Sequence, residues 1–544
     1  MNRNGKTSVG GHSSQTAAHP GVVTETRNFD SRAAHITCLL LLVLLLSPVL
    51  AVEIPAMLDY PDHLARMYLL SRDATVAANP FYQISWALYP NLAMDIAVPW
   101  LAHFVSVENA TKAFYLISQV LVIGGACMVE RVVKGRVNLA LLAAVTFLYS
   151  PPFAWGFVNF EFGFGIGLWA IAVWLATERM GRPARLLVHS IFVLVLFLAH
   201  FFALGLYGLV IGLHQLWRSW IDRAHLRDSA IAFSVLAAPV AAIVGAMVIL
   251  GGSIGRAGTE WYFAYKPAWI ALAMSGYSST LSEAGMLFLI SLCFVLARRG
   301  QFTLVRSGGW IAVGLALTYV VMPFRPLDTA FADVRILTAA AFVLPAFVQI
   351  SIPNATWRRI LFSTTAAFAV VNLVLVWSEW LSFQPEYSRV ISSFEYISKG
   401  SRVLVAESGE GDPGHYLSEY PIYHAPSLAV AEAGALVSTF SASPGKQPVA
   451  LQPAYRHLAA LQGRSVPFAL LLAIASDNVT DPPAPLASWP ANFDYLFVVG
   501  HRVPNPRPDL LYELAGDRQF VLYGINNRVR RSGKPNPSSE LPSQ

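Results

Sequence analysis

The sequence predicts a polytopic α-helical membrane protein that ends in a small α/β domain. Three observations carry that expectation. Of 544 residues, 55% are hydrophobic and only 13% charged, about half the charged share of an ordinary soluble domain, and mean hydropathy is +0.50. Apolar runs of membrane length recur up to about residue 380, with Arg and Lys gathered in short clusters between them. Beyond that point the runs shorten to strand length and the composition turns polar. The net charge of +6 therefore reflects orientation in a bilayer, and no nucleic-acid partner is expected. Cys38, Cys127 and Cys293 each sit in a different apolar run without a partner at disulfide or zinc spacing, and read as small core residues.

Residues 1–32 are rich in Ser, Gly, Asn and Thr without apolar periodicity, so a disordered cytoplasmic tail is expected. The run 36–52 is the first crossing; Val49-Leu50-Ala51 resembles a signal-peptidase site, but the long polar leader argues against cleavage. Either way, residue 53 emerges on the far side. The clusters Arg131/Lys134/Arg136, Arg179/Arg182/Arg185, Arg218/Arg223/Arg227, Arg298/Arg299/Arg306 and Arg358/Arg359 should all face the cytoplasm. Neighbouring clusters must then be separated by an even number of crossings. The pairs 137–150 with 160–178, 186–199 with 201–217, 229–250 with 283–298, and 309–322 with 334–352 supply them. With 109–131 and 357–378, about eleven crossings are expected over 33–379. Residues 53–108, 151–159, the neighbourhood of His200, the loops 251–282 and 323–333, and everything after 380 would share the external face.

Within the first external loop, residues 61–73 fit a short amphipathic helix, because Leu64, Met67 and Tyr68 recur at helical spacing. A second short helix, about 92–105, would half-enter the membrane. In the external domain, 380–526, the stretches 402–407, 493–499 and 520–524 read as buried strands, and 451–461 and 508–515 as helices. The order strand, helix, strand across 493–524 suggests a βαβ unit. The polar tail 527–544 is expected to be disordered. Gly409-Glu-Gly411-Asp-Pro-Gly414 matches GxGxxG after a strand, with Glu432 some twenty residues on, yet Pro413 and the lack of a following helix leave a plain glycine-rich loop.

Chemistry is expected where the chain first leaves the bilayer. Asp59-Tyr-Pro-Asp62-His63-Leu-Ala-Arg66 puts two carboxylates, an imidazole and a guanidinium within eight residues of a charge-poor chain. Asp59 is also suited to cap the helix and Asp62 to meet its dipole, but His63 and Arg66 exceed what capping needs. A carboxylate against an apolar wall can serve as a general base; the alternative use, a divalent cation on a phosphate leaving group, is not required by the sequence. Asn159 and Glu161 lie at the external end of a crossing whose Gly163, Gly165 and Gly167 permit close approach, and His200 marks the next external hinge. Arg325, Asp328, Asp333 and Arg335 bring both signs to the loop 323–333, and Arg335 opens an apolar run where an unpaired guanidinium is costly. Arg325 and Arg335 suit a phosphate. Arg256 and Lys266, flanking Glu260-Trp-Tyr-Phe, are candidates to join them or to act as interfacial anchors.

A first crossing, an external acidic loop on a juxtamembrane helix, about eleven crossings and a C-terminal external domain together resemble the GT-C glycosyltransferase superfamily, which includes the protein O-mannosyltransferases and the aminoarabinose transferases of lipid A. The likeness covers about 53–380 by architecture. Locally it rests on Asp59-Tyr-Pro-Asp62-His63, although two residues separate the acids where the family has adjacent acids or one residue between them. The resemblance implies a multi-pass inner-membrane enzyme that takes a sugar from a polyprenyl-phosphate donor. Asp59 or Asp62 would act on the acceptor, and external Arg residues would hold the donor phosphate. A flippase or transporter of lipid-linked material, or a non-catalytic membrane scaffold, are the competing readings.

Overall fold

The computed structural model describes residues 43–72, 77, 79–135, 140–250, 258–326, 329–409, 421–442 and 447–526. The chain divides into Met1–Leu45, described only from residue 43, and Leu46–Gln544, which holds everything below. The helices that build this second unit are α1 (Tyr60–Ser71), α2 (Ala93–Leu101), α3 (Val107–Lys134), α4 (Val158–Ala176), α5 (Arg182–Ala199), α6 (Phe201–Ile221), α7 (Leu226–Ile249), α8 (Ser279–Arg298), α9 (Gly308–Val321), α10 (Ala332–Val343) and α11 (Ala355–Ser393).

Among the described residues, six helices are long and apolar enough to cross a membrane: α3, α4, α5, α7, α8 and α11 with its continuation to Tyr396. The remaining apolar runs take other forms. Among the described residues of run 137–150 the helix is Ala140–Val145, followed by a turn that leads into Ser150-Pro151-Pro152. Run 334–352 gives α10, a 3-10 turn Leu344–Phe347 and a strand, and α9 is a shorter apolar helix. α6 is 21 residues long but carries His214 and Arg218 in its later turns.

Local chemistry sets the ends of α3. Ser106 caps its start by accepting from the Asn109 N–H at 3.2 Å, and Gly135 ends it in the left-handed region at φ 75°. Glycines then let α3 and α4 touch. A Cβ on Gly165 would lie 2.7 Å from Leu121 Cβ, and one on Gly125 would lie 2.6 Å from Leu168 Cβ. Gly165→Val should therefore cost about 1–3 kcal/mol by overpacking, read as a lower Tm in detergent.

The C-terminal sheet has the order β5-β4-β8-β10-β9, built from β4 (Arg402–Glu407), β5 (Leu436–Val437), β8 (Tyr495–Val499), β9 (Leu511–Gly516) and β10 (Phe520–Ile525), with β7 (Val466–Pro467) also on β4. β4 runs parallel to β5, β7 and β8, and its Val403, Leu404, Val405 and Ala406 are fully buried. The expected helix at 508–515 is instead β9, and the expected βαβ unit is an antiparallel set, with β10 between β8 and β9. An eight-residue helix is marginal by itself. The turn at 517–519 is short enough to fold Leu511–Gly516 straight back onto the wholly buried β10. The expected boundary at 380 also moves, because α11 runs unbroken to Ser393.

Two seams bind this sheet region to the first loop. β1 (Tyr82–Ile84) pairs antiparallel with β6 (Val449–Leu451), Tyr82 opposite Leu451. Asn79 donates to the Val430 carbonyl at 3.1 Å. The first loop and the C-terminal domain thus form one continuous structure at the Asp59 end of the bundle.

Candidate functional site

Asp59 occupies the N-cap position of α1, but its side chain makes no capping hydrogen bond. Its backbone N–H donates to the Trp155 carbonyl at 3.1 Å instead. Gly156, at φ +86°, permits this approach: a Cβ there would lie 3.1 Å from Asp59 Cβ. The carboxylate turns toward the C-terminal domain, where Asp59 Oδ1 lies 3.2 Å from His424 Nδ1, with the two side chains 26% and 22% exposed.

Asp62 behaves differently. It is 5% exposed, and its Oδ1 accepts from the Ser441 N–H at 3.0 Å. Burial pushes its carboxyl above the usual range, against the pull of His424, Arg66 and the Ser441 N–H. Burial also depresses His424, but the Asp59 hydrogen bond and the charges of Asp59, Asp62 and Glu407 outweigh it, and the imidazole ends above its ordinary value.

Arg66 is the hub beneath the pair. Its Nε lies 2.9 Å from Asp95 Oδ1, its Nη2 donates to His63 Nδ1 at 3.2 Å, and its Nη1 donates to Gln447 Oε1. With Nδ1 accepting, His63 donates from Nε2 to the Gly156 carbonyl at 3.1 Å. Burial, then Arg66, pull the His63 imidazole down to about 4. Because the folded state disfavours that proton, the stability His63 contributes is complete above about 6.5 and lost as pH falls toward 4. His63→Asn should remove that share of the acid sensitivity, seen as a smaller Tm drop than wild type between pH 7 and 5. Asp62 and Asp95, held up by burial, work in the opposite direction in both proteins, so the difference between the two reports His63.

The other expected residues divide clearly. Asn159 Oδ1 accepts from the Met94 N–H and its Nδ2 donates to the Asn91 carbonyl, tying α4 to the start of α2. Glu161 is buried in the first turn of α4. His200 Nδ1 caps α6 by accepting from the Phe202 N–H at 3.2 Å. Lys266 donates to the Tyr319 and Met322 carbonyls and to Asp333 Oδ2, so neither it nor Asp333 points to a phosphate. Arg325 pairs with Glu260 at 3.1 Å in a partly exposed backbone bridge. Arg256 and Asp328 lie outside the described residues, as does most of the 409–414 loop.

Arg335 stands apart. It is 6% exposed, its guanidinium lies over the rings of Phe157 (4.4 Å), Phe160 (5.4 Å) and Phe202 (5.8 Å), and among the described residues its Nε and Nη1 have no hydrogen-bond partner. Phe157 follows the Trp155-Gly156 turn that holds Asp59, so Asp59 and Arg335 flank one short stretch of chain.

No family model matches the chain, and no curated protein matches it. Its structure is similar to the "Crystal Structure of ArnT from Cupriavidus metallidurans bound to Undecaprenyl phosphate". That likeness has 12% identity and a TM-score of 0.48, covering 90% of this chain and 98% of that one. What the site here can do follows from its own side chains. Among the described residues, no group of three or more His, Cys, Asp or Glu is placed to hold a metal ion. Among the described residues, cavities of about 690 Å³ beside Trp220 and about 230 Å³ between His214 and Arg306 lie at the C-terminal end of α6.

His424, Ser441 and Gln447 were absent from the sequence expectation. They come from turns more than 350 residues beyond α1 with no periodicity or motif to mark them. Asp95 carried a readable signal: a carboxylate in an otherwise apolar helix requires a cation, and Arg66 is the one it finds.

Proposed function

We propose that this protein is an integral-membrane glycosyltransferase that moves a sugar from a polyprenyl-phosphate donor to an acceptor hydroxyl at the external face. The observation that carries this reading is the pairing of a partly open Asp59, whose side chain makes no capping bond, with a buried Arg335 whose Nε and Nη1 lack partners among the described residues, across the Gly156–Phe157 turn. Asp59 is the general base. It takes the acceptor proton as the acceptor oxygen attacks the sugar carbon and the sugar–phosphate bond breaks toward phosphate oxygen. Arg335 supplies donors to that phosphate inside an aromatic, water-poor setting where they count most. Asp62, held by Ser441, fixes the C-terminal domain on α1. Arg325 is engaged by Glu260 at the rim.

The test uses purified full-length protein with a radiolabelled polyprenyl-phosphate sugar and an extract of envelope lipids as acceptor. Label should appear on a new product, and Arg335→Ala should weaken donor use by about 10- to 100-fold, the range for losing a charge-assisted contact of 1.5–3 kcal/mol. Recovery of intact donor on the opposite leaflet of sealed vesicles, with no bond broken, would instead establish a transporter.

A further inference from the structure

The carboxylate assigned as base is not held by its own helix. Asp59 caps nothing, while Asp62 is taken up by the Ser441 N–H. Among the described residues, the side chain that meets Asp59 is His424, 3.2 Å from Oδ1, from a turn that leads into the segment packed on α1. A base needs one oxygen fixed and the other aimed at the acceptor, and a contact on Oδ1 leaves Oδ2 for that purpose.

We propose that His424 is the positioning residue for Asp59, so that the C-terminal domain, rather than only covering the site, completes it. The groups around the imidazole fit this role. Asp59 and Asp62 face it from α1, Glu407 from β4, and its own neighbour Tyr423 hydrogen-bonds Glu407. His63 and Arg66 are the cationic or potentially cationic side chains on the α1 side, and Arg66 is already committed to Asp95, His63 and Gln447. Three carboxylates around one imidazole favour its cationic form, whose Nδ1 lies 3.2 Å from Asp59 Oδ1 and attracts that oxygen toward the domain. The domain's docking bonds, Ser441 to Asp62 and Gln447 to Arg66, both follow His424 in sequence and fasten the same domain to the helix that Asp59 opens.

This inference rests on the glycosyl-transfer reading, and the experiment separates the two. Transfer rates are measured across pH 5.5–9 for full-length wild type, Asp59→Asn, His424→Phe and His424→Asn, with Tm as the folding check. Because burial loosens the His424 proton but the carboxylates outweigh it and leave the proton held more tightly than usual, the wild-type rate should fall as pH rises through that raised value. His424→Phe should lose about 100-fold, the order expected when a reacting group is misplaced by about 1 Å. His424→Asn, which keeps a donor that does not titrate, should regain part of the rate and lose the alkaline fall. An unchanged rate and pH profile in His424→Phe, or an alkaline fall retained in His424→Asn should the Phe variant not fold, overturns the role of His424 alone. Full activity in Asp59→Asn overturns Asp59 as the base, and no labelled product from wild type at any pH overturns the transfer reading itself.

Discussion

Asp59→Asn is expected to lower sugar transfer by about 100- to 10,000-fold at neutral pH, the range lost with a positioned general base. An amide cannot take the acceptor proton, yet it is nearly the same size and can still face His424, so Tm should move little. Asp62→Asn makes the informative partner. Asp62 is almost fully enclosed and its Oδ1 already accepts from Ser441, so its loss should act through domain docking. The expected result is a lower Tm and a modest rate change at temperatures where the variant stays folded. Initial rates with radiolabelled donor at matched membrane protein levels distinguish the two, and the proposal fails if the Asn variant at 59 is fully active or if the two variants are equally impaired at full stability.

Arg66→Met should produce the largest loss of stability, about 3–5 kcal/mol, because it strands the Asp95 carboxylate, 1% exposed, with its cation gone. The same change releases Gln447 and His63, loosening the seam next to β6. Added protease should then cut the C-terminal domain faster than in wild type. Removing both charges, in Arg66→Met with Asp95→Leu, should recover much of the loss, since an ion pair replaced as a whole by apolar groups is often neutral. A double variant no better than the single would show that the contribution of Arg66 lies in its hydrogen bonds to His63 and Gln447.

How much of this was legible in the sequence depended on distance along the chain. The helix at α1 and the strands β4, β8 and β10 all follow from local patterns, and each stands where those patterns put it. The segment at β9 was misread because Pro508 and a cluster of leucines look like a helix start. What decides it is a pairing with β10 that only tertiary structure reveals. The loop at 323–333 shows the same limit. Lys266, Asp333 and Arg335 all read as charges near an apolar run, yet two neutralise each other and one, among the described residues, keeps unpartnered donors beside aromatic rings. Partner choice between residues some 70 positions apart leaves no trace in spacing, and His424 opposite Asp59 lies farther still.

The seam between the two ends of the chain also has a consequence for biosynthesis. Arg66 waits for a Gln447 that is 381 residues downstream, which a ribosome working at 5–20 residues per second supplies only roughly 20–75 s later. Until then the newly inserted first loop has no His424 beside Asp59 and no β6 strand on which β1 can close. A chain ended before Gln447 would keep the first loop but lack the downstream side chains and strand that close over it.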